Sequence, residues 1–244
     1  MIKFDPKQPL WCVCIPGLGC TSDDFDNLSS YLNINCFCLD LRNFPLEISS
    51  IQEFTETISC IIQHIKTKYN LGEPSMIVGH SFGGSLAMEC FHLANIIVSL
   101  EGNVNKDCCG IISQQISSYS REDFIQHFDE FLDVVGKKHS LYYWSTMAVS
   151  WEPASLHHAS ELLVEWSHNR GEELCHVINT ERFYYCYSQK VRPLHAIKML
   201  QRCGLDETHI VEIPSCGHFM LKDNPEFVSR FLNTIATESG GNLP

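Results

Sequence analysis

The feature that most constrains the fold is the run GHSFGG at residues 79–84. Apolar residues 76–78 precede it and a helix-favouring segment follows, so the run predicts a sharp turn from a strand into a helix. Such a turn strains the backbone of its central residue, Ser81, and residues two before and two after it must be small. Gly79 and Gly83 meet that requirement. The turn presents the Ser81 hydroxyl at the strand end, facing the positive end of the next helix.

Short apolar runs alternate with amphipathic segments along most of the chain. The apolar runs predict strands at residues 10–15, 35–41, 74–79, 96–100, 182–188 and 209–213. The amphipathic segments predict helices at 23–32, from Ser50 onward, at 82–94, at 194–202 and from Pro225 onward. Strands that are apolar throughout and alternate with helices indicate a parallel sheet covered on both faces. The predicted fold class is therefore α/β, a three-layer sandwich with a mostly parallel sheet of about six strands.

One stretch interrupts the alternation. Between about Val104 and Glu181 the pattern is helical, with apolar residues at helical spacing in 120–135 and 155–166 and no convincing strand. We interpret this stretch as a helical cap inserted over the sheet. The predicted organisation is a core of residues 1–103 and 182–244 and an insertion of residues 104–181.

Charge and hydropathy exclude some classes of partner. The chain has 17 basic and 29 acidic residues and a net charge of -12, and no basic cluster, which argues against nucleic acid and anionic membrane surfaces. No apolar run approaches the roughly 20 residues that span a bilayer, and the N-terminal residues lack a signal peptide's apolar stretch. We therefore predict a cytoplasmic protein, whose 13 cysteines are mainly reduced thiols.

A serine hydroxyl needs a base to act as a nucleophile near neutral pH. Among 12 histidines, His218 is the best candidate, because it lies in a predicted loop between the last strand and the last helix. His80 flanks Ser81 but is predicted to point away from it. The plainer interpretations are a glycine-rich turn capped by a serine and a loop histidine bonded to backbone.

These motifs together resemble the α/β-hydrolase superfamily. GHSFGG resembles its nucleophile elbow, and CGHF at 216–219 followed by DNPE at 223–226 resembles its histidine loop and last helix. DLR at 40–42 resembles a turn common in the family, and PGLG at 16–19 resembles its oxyanion loop. The matches span nearly the whole chain in the family's order. The resemblance implies an α/β-hydrolase fold in which Ser81 is the nucleophile and His218 the base.

The acid that would orient His218 is not in its most common place. Most members of the family carry it after the strand that follows the insertion, where this chain reads CYSQKVRP at 186–193. Some members carry it after the strand that follows the elbow helix, where this chain reads VSLEGN at 98–103. We predict Glu101 as the acid, with Asp107 and Asp206 as weaker candidates. The alternative is that Glu101 is a solvated turn residue and the acid is missing.

The resemblance has two further departures. Pro16 occupies the position often held by histidine in the oxyanion loop, which the mechanism tolerates because the donors are backbone N–H groups. By alignment these are the N–H groups of Leu18 and Phe82. The two N-terminal antiparallel strands of the full fold are predicted to be absent or vestigial.

Two other groups of residues are candidate sites. Cys12, Cys14, Cys36 and Cys38 alternate on two neighbouring strands and could bind zinc, but they lack the usual ligand spacing, and we favour core residues. We predict neither a metal nor a cofactor. Trp144 and Trp151 are candidates for an apolar substrate pocket, and core packing is an equally good interpretation of them.

The predicted reaction is hydrolysis of a carboxylic ester through an acyl-enzyme on Ser81. The expected partner is a small acyl ester, with an acyl thioester second. A protein of a different class, a non-catalytic binding protein that keeps the fold and its pocket, is the remaining alternative.

Overall fold

The computed structural model describes residues 2–138, 141–178 and 180–240. Within them the strands are β1 (Ile2–Lys3), β2 (Trp11–Ile15), β3 (Asn35–Cys38), β4 (Met76–His80), β5 (Ile96–Leu100), β6 (Phe183–Ser188) and β7 (Ile210–Ile213). The helices are α1 (Asp26–Tyr31), α2 (Ile51–Tyr69), α3 (Phe82–Glu89), α4 (Ile111–Ser117), α5 (Arg121–Gln126), α6 (Phe128–Lys138), α7 (Tyr142–Ala148), α8 (Pro153–Asn169), α9 (Gly171–Cys175), α10 (Leu194–Arg202), α11 (Met220–Asp223) and α12 (Pro225–Gly240). Short 3₁₀ turns lie at Ser22–Phe25, Lys106–Cys108, Thr180–Arg182 and Glu207–His209.

The strands form one sheet in the order β1-β3-β2-β4-β5-β6-β7. All neighbouring pairs from β3 to β7 are parallel, and β1 pairs antiparallel with β3. The predicted α/β class with about six parallel strands is therefore confirmed. Among the described residues, the antiparallel part of the sheet consists of the two residues of β1.

Alternating residues of each strand pack on opposite faces of the sheet. One face is covered by α2, α3 and α10, whose apolar side chains meet those of Trp11, Val13, Ile15, Phe37, Ile77, Ile97, Phe183 and Tyr185. The other face is covered by α1, α11 and α12, which meet Cys12, Cys14, Cys36, Met76, Val78, Val98, Leu100 and Cys186. Helices on both faces make the sandwich three layers thick and leave the carboxyl ends of the strands at one shared edge.

Helix α2 shows how local sequence sets an element's ends. Ser50 caps its start, and the Ser50 hydroxyl accepts a hydrogen bond from the Glu53 N–H at 3.1 Å. The Glu53 carboxylate reaches back to the N–H of Ser49 at 2.8 Å. Asn70 ends the helix in the left-handed conformation, at φ 52°. These contacts hold both ends of a helix that packs against α3.

Helices α4 to α9 lie between β5 and β6, and the described residues between those strands contain no strand. We call residues 104–181 the cap segment. Within it α4 and α5 pack on α8, and α6 packs on α7. Its treatment as a unit separate from the core remains a prediction. Among the described residues, every helix falls short of the length and apolar character needed to cross a membrane.

Candidate active site

Ser81 joins β4 to α3 in a strained conformation, with φ 53° and ψ -117°. Its N–H donates to the Leu100 carbonyl at 2.8 Å, which ties the turn to the end of β5. A Cβ atom on Gly79 would lie 1.8 Å from the Gly83 carbonyl oxygen, and one on Gly83 would lie 2.0 Å from the carbonyl oxygen of Ile15. The turn therefore requires glycine at both positions, as its spacing around Ser81 predicts.

Glu101 and His218 meet at the same edge of the sheet. His218 lies in the loop after β7, and its Nδ1 atom is 2.6 Å from Oε2 of Glu101. Glu101 follows β5 directly, at φ 50°, and its N–H donates to the Cys186 carbonyl at 2.9 Å. Strained backbone at a polar residue of a strand end is typical of functional sites.

Ser188, the last residue of β6, holds the other oxygen of the Glu101 carboxylate. Its N–H and its hydroxyl donate to Oε1 at 2.6 and 2.5 Å. Burial alone would raise the pKa of Glu101, but the hydrogen bonds from His218 and Ser188 outweigh it and lower that pKa below its usual value. The carboxylate is therefore ionised at neutral pH and accepts the Nδ1–H of His218.

Ser81 and His218 border one cavity of about 330 Å³. Within the described residues the Ser81 hydroxyl makes no hydrogen bond, so it is free to meet a bound molecule. Catalytic hydrogen bonds are often long in the absence of substrate and tighten when substrate binds.

The cavity has a mainly apolar wall that the cap segment supplies in large part. Its lining comprises Leu18, Cys20, His80, Ser81, Asn103, Gly110, Ile111, Ile112, Ser113, Leu141, Trp144, Leu163, Val191, His218 and Phe219. A second cavity of about 220 Å³ also touches Ser81, Glu101 and His218, and exposed Asp107 and His195 border it. Ser81 and His218 thus border both cavities.

The predicted oxyanion donors belong to two segments that pack together at the turn. Phe82 is the first residue of α3, and Leu18 lies in the loop that crosses the turn. In the described part of the chain, neither N–H donates to a loop or turn carbonyl. Their role as donors to an oxyanion remains a prediction, which the position of Phe82 at a helix N-terminus suits.

Trp144 and Trp151 hold the loop that carries Leu18. The indole N–H of Trp144 donates to the Leu18 carbonyl at 2.7 Å, and that of Trp151 donates to the Cys20 carbonyl at 2.8 Å. Trp144 also lines the larger cavity, whereas buried Trp151 is not among the residues that line it, and substrate binding by either tryptophan remains a prediction. In the structure Trp151 packs in the core and donates to the loop that carries Leu18.

The buried pair of His80 and Asp24 is a feature that the sequence did not predict. His80 Nδ1 is 3.0 Å from Asp24 Oδ2, and His80 Nε2 is 2.8 Å from the main-chain oxygen of His218. No local signal joins residues 56 positions apart. Ser188 was missed too, although its position at the end of the strand beside Glu101 is a signal that could have suggested it.

The weaker acid candidates have other surroundings. Asp206 caps a 3₁₀ turn by accepting from the Thr208 N–H at 2.8 Å. Asp107 is exposed at the border of the smaller cavity. Of the three candidate acids, Glu101, Asp107 and Asp206, it is Glu101 that contacts His218 in the structure.

The four cysteines of β2 and β3 lie together in the core. Successive sulfur atoms of Cys12, Cys14, Cys36 and Cys38 are 3.8, 3.3 and 3.7 Å apart. The sulfurs of the first three are close enough together to share a metal ion. They also pack among the apolar side chains between the sheet and α1 and α12, so their role as core thiols remains our interpretation.

The model of the alpha/beta hydrolase family matches residues 12–231 of this chain. The chain therefore belongs to the alpha/beta hydrolase family. No curated protein matches it by sequence.

Solved structures give the same result for the fold. MenH from S. aureus superposes with a TM-score of 0.70 at 13% identity, over 95% of this chain and 94% of that chain. A thermophilic esterase from Thermogutta terrifontis superposes with a TM-score of 0.71 at 13% identity, over 95% of this chain and 90% of that chain. A meta-cleavage product hydrolase from Pseudomonas fluorescens IP01 superposes with a TM-score of 0.68 at 16% identity, over 95% of this chain and 92% of that chain. At these identities the likeness is one of fold.

Proposed function

We propose that this protein hydrolyses carboxylic esters, with Ser81 as nucleophile, His218 as base and Glu101 as the acid that orients it. The observation that carries the proposal is the 2.6 Å hydrogen bond between His218 and Glu101, beside a cavity that His218 shares with Ser81. An ordinary turn serine has neither strained geometry nor a histidine–carboxylate pair at its cavity.

The geometry supports a two-step acyl transfer. His218 takes the Ser81 proton as the hydroxyl oxygen attacks the ester carbonyl carbon, and the N–H groups of Leu18 and Phe82 stabilise the oxyanion. The C–O bond then breaks, and His218 returns the proton to the alcohol that leaves. Water attacks the acyl-enzyme with His218 as base, which releases the carboxylic acid and restores Ser81. Glu101 stabilises the imidazolium in both steps.

The cavity favours a compact apolar acyl group. Its volume of about 330 Å³ lies at the lower end of the range of about 300–1,000 Å³ for ligand pockets. Ile112, Leu163 and Trp144 supply apolar contacts, and the second cavity offers space for the alcohol part. Two of the structural neighbours are named as thermophilic esterases, which favours an oxygen ester over a thioester.

Hydrolysis of a panel of esters tests the proposal. Nitrophenyl esters from acetate to laurate and the matching acyl thioesters are compared for the wild type and Ser81→Ala. We expect Ser81-dependent turnover, fastest for short and medium acyl esters. Faster turnover of thioesters would reassign the substrate class, and equal rates for the wild type and Ser81→Ala would reject Ser81 as nucleophile. Tight binding of an ester without turnover would favour the non-catalytic alternative.

A further inference from the structure

We propose that His80 is a positioning residue for the base: as an imidazolium paired with Asp24, it clamps the main chain of His218. The inference rests on the proposed function for its kinetic consequences. The clamp starts from the residue next to the nucleophile, because His80 is the last residue of β4 and Ser81 follows it. The segment that carries Ser81 therefore also holds the loop that carries His218, the proposed base.

The charge of His80 follows from its two partners. A main-chain carbonyl only accepts hydrogen bonds, so Nε2 donates to His218 at 2.8 Å. Asp24 accepts a further hydrogen bond from the Tyr143 hydroxyl at 3.2 Å. Nδ1 of His80 lies 3.0 Å from the Asp24 carboxylate, whose charge and hydrogen bond favour a proton on that nitrogen as well. Both ring nitrogens then carry protons.

Burial makes this pair unlike an exposed ion pair. The side chains of His80 and Asp24 are both 0% exposed. Burial lowers the pKa of His80, but the charge and hydrogen bond of Asp24 and the bond to His218 outweigh it, and the pKa is raised. A buried charge without its partner is strongly destabilising, so the two groups act as a unit.

Other titratable groups also face the pair. Beside Asp24 these are Cys20 and Tyr143, and burial raises the pKa of each well above its usual value, with a further contribution from Asp24. Both are therefore neutral at pH 7. On the side of the cavity the charged group is Glu101, paired with His218.

The clamp supplies a link that the histidine loop otherwise lacks. The His218 side chain bonds to Glu101 after β5, and elsewhere in the loop Gly217 donates to Asp223 and Cys216 accepts from Lys190. Within the described residues, His80 is the donor that connects the loop to the strand of the nucleophile. The clamped carbonyl is that of His218 itself, so a shift of this carbonyl displaces the base, whose ring lies 5.0 Å from that of His80.

Two conservative variants separate the halves of the clamp. In His80→Gln the side-chain amide nitrogen replaces Nε2 and restores the donor to His218. In His80→Asn it replaces Nδ1 and restores only the donor to Asp24. A misplacement of about 1 Å can cost about 100-fold in rate, so we expect kcat to fall about 30- to 100-fold in His80→Asn. We expect His80→Gln to stay within about 10-fold of the wild type, with KM nearly unchanged in both.

His158 offers a matched control. It is a buried histidine on α8 whose Nε2 donates to the Ile48 carbonyl at 2.7 Å, and it does not line the cavity. His158→Gln and His158→Asn should keep wild-type kcat. Equal kcat for His80→Gln and His80→Asn, or a loss confined to KM, would overturn the proposal.

NMR of ¹⁵N-labelled histidines tests the clamp without relying on activity. At about pH 7.5, above the ordinary histidine pKa of about 6.5, we expect one buried imidazolium with protons on both nitrogens, absent from His80→Gln. The low-field proton between His218 and Glu101 should persist in His80→Gln and weaken in His80→Asn. The proposed clamp would be overturned by a neutral His80 ring, or by a His218–Glu101 proton signal that is the same in both variants as in the wild type. An enzyme inactive on every ester with these NMR results intact would instead reject only the proposed function.

Discussion

The sheet edge and the cap segment contribute to the site in different ways. The three side chains proposed for the chemistry all follow strands of the sheet, Ser81 after β4, Glu101 after β5 and His218 after β7. The cap segment supplies much of the apolar cavity wall and two indole N–H groups that hold the loop of Leu18. The sheet thus places the side chains proposed to react, and the cap segment forms much of the cavity beside them.

The physical basis of the two contributions also differs. Ser81 and Glu101 are held by main-chain hydrogen bonds and by backbone conformations at φ 53° and 50°. The cavity wall is built from side-chain packing, which tolerates apolar substitutions of similar volume. Changes at the sheet edge should therefore abolish the reaction, and changes in the cap should alter substrate preference.

The largest effect is expected for His218→Gln. Removal of the base should lower kcat by about 10⁴- to 10⁶-fold, as when a member of such a triad is lost. His209→Gln is a control near the start of β7, because His209 Nδ1 contacts the Thr180 carbonyl at 2.6 Å and takes no part in the site. A steady-state assay in which both variants lose activity equally would contradict the role of His218.

Glu101→Gln should lower kcat by about 10²- to 10⁴-fold, because an amide does not stabilise the imidazolium. Glu89→Gln is the matched control, since Glu89 is a buried carboxylate that accepts from Trp166 at 2.7 Å and from Arg170 at 3.1 Å. It should lose stability and keep kcat. If Glu101→Gln retains wild-type turnover, Glu101 is not the acid.

The lowered pKa of Glu101 also gives a pH dependence of stability. Its contribution is fully present above the unfolded pKa of about 4.3 and is lost as pH falls through the lower folded pKa. The unfolding free energy of the wild type relative to Glu101→Gln should therefore shrink below about pH 4. Urea unfolding at neutral and acidic pH measures this difference in unfolding free energy. A difference that grows as the pH falls would contradict an ionised Glu101 carboxylate in the folded protein.

In the cap, Leu163→Ala should enlarge the cavity and shift the preference toward longer acyl chains by about 10-fold in relative kcat/KM. Leu162→Ala removes the same atoms from the same helix, but Leu162 does not line this cavity, so it should leave the preference unchanged. The ester panel measures both. An unchanged chain-length preference in Leu163→Ala would show that this cavity does not bind the acyl group.

The smallest effects are expected for the two tryptophans. Trp144→Phe and Trp151→Phe each remove one hydrogen bond to the loop that carries Leu18, worth about 0.5–1.5 kcal/mol, so kcat should fall about 2- to 10-fold in each. Only Trp144→Phe should also change the chain-length preference, because Trp144 lines the cavity. A change of preference in Trp151→Phe alone would reverse the assignment of the two residues.

The sequence predicted what is encoded locally or by strand order. The glycines around Ser81 and the apolar runs give the turn and the six parallel strands, and the end of the fourth of these strands places Glu101 at the right edge. It did not predict the bonds from Ser188 to Glu101, from His80 to Asp24, or from Trp144 and Trp151 to the loop. These partners are 87, 56, 126 and 131 residues apart. Their meeting depends on side-chain geometry between distant segments, which no local pattern carries.

Labelling by a fluorophosphonate tests the central claim most directly, because the reagent reacts covalently with an activated serine and requires no knowledge of the substrate. We predict rapid labelling of the wild type, assigned to Ser81 by mass spectrometry, and complete loss in Ser81→Ala. Ser160→Ala, which removes a buried hydroxyl of α8 bonded to the Leu156 carbonyl at 2.7 Å, should label normally. An unlabelled wild type, or label that persists in Ser81→Ala, would contradict the assignment of Ser81 as an activated nucleophile.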